Sequence, residues 1–132
     1  MTELQHITTD PKVAEFNASS GVFAGLMREM RELSKKKPDA TLSGSKVKIL
    51  NRILEDIGAV LKDEPEAKYL DLLDDEQLPQ NSDAVLVMVQ HERALAAFKE
   101  RYYVYFGVLQ EHRWVTEDVV DEIRPYRARD YE

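Results

Sequence analysis

Between Lys46 and Lys62, apolar residues recur every three or four positions: Val47, Leu50, Leu54, Ile57 and Leu61. Ile49, Ile53 and Val60 widen that stripe, while Lys48, Arg52, Glu55, Asp56 and Asp63 take the remaining side. A strand has a period of two, so this spacing belongs to a helix. Its broad apolar arc also implies that the helix is packed against more than one neighbour.

The same period recurs elsewhere. Asp10 and Pro11 predict the start of a short helix ending near Asn17. Ser19 or Ser20 then caps a second, with Phe23, Leu26, Met27, Met30 and Leu33 on one face. Residues 35–45, rich in Lys, Pro, Asp, Gly and Ser, read as a loop, and Ser45 reads as the cap of the Lys46 helix. Gly58 lies inside that helix at a loss of about 1 kcal/mol against Ala, unless close packing uses the space. Pro65 ends it and opens a shorter helix through Leu78; Pro79 stops this one. Asn81 or Ser82 caps the next, whose stripe is Met88, His91, Leu95, Phe98 and Tyr102. Thr116 caps the last, and Pro125 ends it. The expectation is an all-α, compact single-domain bundle of five or six helices over residues 1–132, with a mobile N-terminus (1–9) and C-terminal tail (125–132).

The stretch 102–109 strains this scheme. Tyr102, Tyr103, Tyr105 and Phe106 fall within five residues, and no charge occurs from Tyr102 to Leu109. A strand would put Tyr102, Val104, Phe106 and Val108 on one side, with Tyr103 and Tyr105 on the other. The upstream stripe runs in phase through Phe98 and Tyr102, and a lone strand has no evident partner, so helix is the expectation. Tyr102 and Phe106 are assigned to the core. Tyr103, Val104 and Tyr105 are the candidate partner surface, because tyrosine suits an interface half apolar and half wet. Arg124, Tyr126 and Arg127 in the tail join them as residue types common at interaction hot spots.

Composition narrows the chemistry. The chain has no cysteine, which removes disulfides, thiolate metal sites and cysteine nucleophiles and fits a reducing cytoplasm. The first residues lack a basic and an apolar region, so no signal peptide is expected, and Ala84–Val89 is the longest aliphatic run, far short of the roughly 20 residues that span a bilayer. The net charge is −7, yet residues 28–52 hold eight cations against three carboxylates. Lys35, Lys36, Lys37, Lys46, Lys48 and Arg52 are therefore candidate phosphate contacts, although Ser43–Lys46 lacks the spacing of a phosphate loop. The acidic run from Glu55 to Glu76 is a second charged surface, suited to a basic partner. The histidine pairs His91-Glu92 and Glu111-His112 lack the three- or four-residue spacing of ligands on one helix face. His91 lies on the apolar stripe and reads as a hydrogen-bonded core residue. No motif supports nucleophilic catalysis.

These observations favour a small acidic cytoplasmic helical protein, not an enzyme. It would act by protein–protein interaction as an adaptor, regulator or inhibitor, and a homodimer is one form of that interface. No cofactor, metal or membrane is expected. A nucleic-acid-associated regulator using residues 28–52 is the alternative, and a histidine–carboxylate metal protein or enzyme ranks third.

Overall fold

A computed structural model describes residues 6–130, with side chains as far as Tyr126. Among these residues the chain is mostly helical, with four α-helices rather than five or six, a short 3₁₀ helix and a two-stranded sheet. They run in the order α1 (Asp10–Lys36), α2 (Gly44–Val60), the 3₁₀ helix Pro65–Tyr69, α3 (Asn81–Tyr102), β1 (Tyr103–Phe106), β2 (Glu111–Trp114) and α4 (Glu117–Asp130). Among the described residues, no helix is long and apolar enough to cross a membrane.

The two helices expected over residues 10–33 are one. The Ser19 hydroxyl donates to the Glu15 carbonyl at 2.8 Å and the Ser20 hydroxyl to that of Asn17 at 3.4 Å. Both serines bond back into the helix, so neither caps a new one. The cap of α1 is Thr9, whose side chain accepts from the Lys12 N–H, and Pro11 occupies the first turn. Ser43, not Ser45, caps α2 by accepting from the Lys46 N–H at 3.3 Å.

Residues 65–78 also depart from expectation, forming helix only as the 3₁₀ turn. Beyond it, side chains take over the main-chain hydrogen bonds. Asn51 of α2 accepts from the Leu73 N–H at 2.8 Å and donates to the Leu73 carbonyl at 2.9 Å. Gln90 of α3 accepts from the Asp71 N–H at 2.9 Å and donates to the Asp71 carboxylate at 2.8 Å. The Asp74 carboxylate accepts from the N–H groups of Glu76 and Gln77, which hold it below its ordinary pKa. The segment crosses α2 and α3 as an extended strap, with Leu73 buried and Leu70 half-buried.

Helices α1, α2 and α3 enclose the main core. Phe16, Phe23, Met27 and Met30 meet Val47, Leu50, Leu54 and Ile57, together with Ala84, Met88, Leu95 and Phe98. The α2 stripe is buried as its spacing requires, whereas Ile49 is 57% exposed. A Cβ at Gly58 would meet nothing within 4 Å, and the same is true of Gly25 in the middle of α1. No close packing offsets these glycines. Gly25→Ala is expected to raise stability by about 0.5–1 kcal/mol, read as a higher urea midpoint; a lower midpoint would contradict the open space seen there.

Residues 103–114 are a hairpin rather than a continuation of α3. The strands pair antiparallel, with Tyr103 opposite Trp114, Val104 opposite Arg113, Tyr105 opposite His112 and Phe106 opposite Glu111. The missing partner strand is Glu111–Trp114. At the turn, Gln110 adopts the left-handed conformation (φ 56°), and its N–H donates to the Phe106 carbonyl at 2.8 Å. A second, smaller core joins the sheet to α4 through Phe106, Val115, Val119 and Ile123.

Of the ends expected to be mobile, residues 1–5, 131 and 132 lie outside the described ones. The Thr8 N–H donates to the Val115 carbonyl at 2.8 Å, and Thr8 is buried. Pro125 does not end α4, which runs on to Asp130. As the ninth residue of α4 it lies in the helix interior, where its ring removes one intrahelical hydrogen bond and crowds the Asp121 carbonyl, a local cost that the helix carries.

Candidate partner-binding surface on the hairpin

Alternation along the strands gives the hairpin two chemically distinct faces. Val104 and Phe106 point into the small core beneath α4, where Arg113 reaches Glu122 of α4 at 3.1 Å. Tyr103, Tyr105, His112 and Trp114 share the other face. Trp114 ties this face to the bundle, with its ring 5.3 Å from Phe16 and 6.0 Å from Phe98.

Further along the sheet the rings emerge into solvent. His112 stacks on Tyr103 at 5.3 Å and meets Tyr105 edge-on at the same spacing. The Lys99 ammonium lies over the face of Tyr103, 5.3 Å from the ring centroid. Ala96, Lys99, Glu100, Tyr103 and His112 line a shallow groove of about 420 Å³ where the last turns of α3 meet the sheet. Tyr105 forms the outer end of the row and is 55% exposed.

An ionic knot lies at the root of the hairpin. Arg101, at the end of α3, donates to Glu64 at 2.7 Å and to Glu66 at 3.0 Å and 3.3 Å. The Tyr102 hydroxyl donates to both oxygens of Glu64, at 2.9 Å and 3.0 Å. Glu64 is buried. The hydrogen bond from Arg101 lowers the pKa of Glu66, while that of Arg101 is raised chiefly by the same bond. Burial, followed by the bond to Glu64, pushes the Tyr102 phenol up to about 12. Tyr102 is thus half-buried, with its ring against Phe98 at 4.7 Å and its hydroxyl in the knot.

The sequence candidates separate in space. Tyr103 and Tyr105 lie on the open face, but Val104 belongs to the core on the opposite one. Its lack of charge reflects partial burial under α4. Arg124 pairs with Asp121 at 3.3 Å, and Tyr126 is exposed; both are on α4, behind the sheet. The Arg127 side chain lies outside the described ones. His112 completes the aromatic row and Lys99 covers Tyr103; the sequence offered His112 only as a metal-ligand candidate and did not single out Lys99. The signal for His112 was the period-two match of residues 112 and 114 with 103 and 105, which shows only once both strands are recognised.

No family model, curated protein or solved structure matches the chain.

Lys35, Lys36, Lys37, Lys46, Lys48 and Arg52 are all exposed around the α1–α2 connection and the first turns of α2. Lys35 pairs with Glu32 at 3.4 Å. Among the described residues the other five have no ion pair, although Lys48 and Arg52 share a groove with Glu55 and Asp75. The acidic side chains there dilute the positive field.

The histidines serve different purposes. His91 is 1% exposed, and its Nδ1–H donates to the Val87 carbonyl at 3.1 Å. His112 stands on the outer sheet, so the two do not form a site together. Among the described residues, no group of three His, Asp or Glu could hold a metal ion. Burial holds the His91 pKa below its ordinary 6.5. Below that value the unfolded chain takes up a proton that the folded chain refuses, so stability falls as the pH drops. The urea midpoint is therefore expected to decrease from pH 7.5 to 5.5, and to decrease less in His91→Leu. An equal decrease in both proteins would remove His91 as the cause.

Proposed function

We propose that this is a binding protein, not an enzyme, and that it engages another protein through the open aromatic face of the hairpin. The observation that carries this reading is the row Tyr105–His112–Tyr103, which leaves Tyr105 largely in solvent on a strand rooted in a buried ionic knot. Tyrosine offers a large rigid contact area with a hydroxyl at its rim, and holding the strand in place reduces the ordering entropy of binding. A second copy of the chain would be the homomeric form of the same contact. The cysteine-free composition supports a cytoplasmic setting.

A nucleic-acid-associated role is the second reading. It is supported by the five cations around the start of α2 that have no ion pair among the described residues. Capture of partners from the native host's lysate, with and without nuclease, separates the two. The hairpin reading expects a protein that survives nuclease, is lost with Tyr105→Ala and is retained after charge reversal at Lys36, Lys46 and Lys48. Loss on nuclease treatment and on charge reversal, but not with Tyr105→Ala, would favour the nucleic-acid role. Sedimentation of the purified protein distinguishes a homodimer from a foreign partner.

A further inference from the structure

The strap between the 3₁₀ helix and α3 is attached differently from every other part of the fold. Among the described residues, positions 71–78 make no backbone–backbone hydrogen bond. Their main chain is held across the bundle by two side-chain amides alone, Asn51 from α2 and Gln90 from α3. Leu73 is the one residue from 71 to 78 that is buried. Leu72 is 50% exposed and Leu78 36% exposed. Asp71, Asp74, Asp75 and Glu76 give residues 70–80 four carboxylates and no cation.

The ends of the strap are held more firmly. Arg101 fixes Glu64 and Glu66 on the entry side. On the exit side, the Leu42 N–H donates to the Pro79 carbonyl at 2.8 Å, and Thr41 bridges to Gln80. Opening between these anchors breaks the two amide clasps and exposes Leu73 and the covered part of Leu70, while the helical ladders and the aromatic core stay intact. Regions held by few apolar contacts and by solvent-facing hydrogen bonds open at free energies well below that of global unfolding.

We infer that residues 70–78 form a releasable strap, which opens as a unit while α1, α2 and α3 remain folded. Opening turns an acidic, leucine-bearing segment into solvent and uncovers the seat of Leu73 between α2 and α3. The clasps suit such a device because each amide both donates and accepts, so closure gives the strap three main-chain hydrogen bonds and one to the Asp71 carboxylate without a sheet partner. This inference is independent of the hairpin face.

Native-state hydrogen exchange of the full chain tests it. The Asp71 and Leu73 amides are expected to be at least about 100-fold less protected than those of Leu54 and Met88 in the adjoining helices. Asn51→Ala should lower protection at Leu73 by about a further tenfold relative to any change at Met27 in α1. Asp71 and Leu73 exchanging at the same free energy as Leu54 and Met88 in the wild-type protein would overturn the proposal. The wild-type comparison decides it even if the variant proves unstable.

Discussion

Arg101→Ala is expected to lower the free energy of unfolding by about 3–5 kcal/mol, the range for removing one partner of a buried ion pair. Its Glu64 partner has a side chain only 6% exposed, and among the described residues Arg101 is the only cation paired with it. The variant would leave that carboxylate with the Tyr102 hydroxyl alone, away from water. Glu66, more exposed, can turn toward solvent and adds less. A second substitution identifies the cause: Glu64→Gln in the Arg101→Ala background removes the stranded charge and should restore part of the loss. Urea unfolding of the four proteins in this cycle measures the coupling directly. Additive effects of Arg101→Ala and Glu64→Gln would show that the knot is not a coupled unit.

Phe98→Ala is expected to have a comparable effect, about 3–5 kcal/mol, because it opens a large cavity in a close-packed core. Phe98 is fully buried, stacks on Phe16 at 5.0 Å and packs against Tyr102 and Trp114. These four rings connect α1, the end of α3 and β2, so the cavity lies where the bundle meets the hairpin. Trp114 is the only tryptophan in the chain, and its emission reports this site without added probes. A loss below about 1 kcal/mol would be too small for truncation of a fully buried ring.

The main core was legible where residues repeat with one period on one element. The stripe from Val47 to Leu61 and that from Met88 to Phe98 became helices with those faces buried. Local competition was not legible. Ser19 and Ser20 look the same as caps and as residues bonded back into a helix, and the difference depends on whether the turn before them is already helical. Residues 69–78 have helical spacing in Tyr69, Leu70, Leu72 and Leu73, but Asn51 and Gln90, distant in sequence, claim backbone groups of Asp71 and Leu73. The hairpin escaped for a related reason. Tyr102 to Phe106 fits helix or strand equally, and Glu111–Trp114 is too polar to announce itself as the partner.

The candidate surface was correspondingly half legible. The uncharged run pointed to residues 103–105, and two of the three are on the open face. Strand alternation sends Val104 to the other side, and supplies His112 in its place. The carboxylates at the hairpin's root, Glu64 and Glu66, are separated from it by the strap and nearly all of α3.

The hairpin face as a binding surface is the central claim, and the affinity of Tyr105→Ala for the captured partner tests it most directly. Tyr105 is largely exposed and lies outside both cores, so its truncation should leave the unfolding midpoint near that of the wild type. A hot-spot tyrosine contributes at least about 2 kcal/mol, or roughly 30-fold in Kd. The account predicts a weakening of that size in a protein that unfolds like the wild type. An unchanged Kd would contradict it.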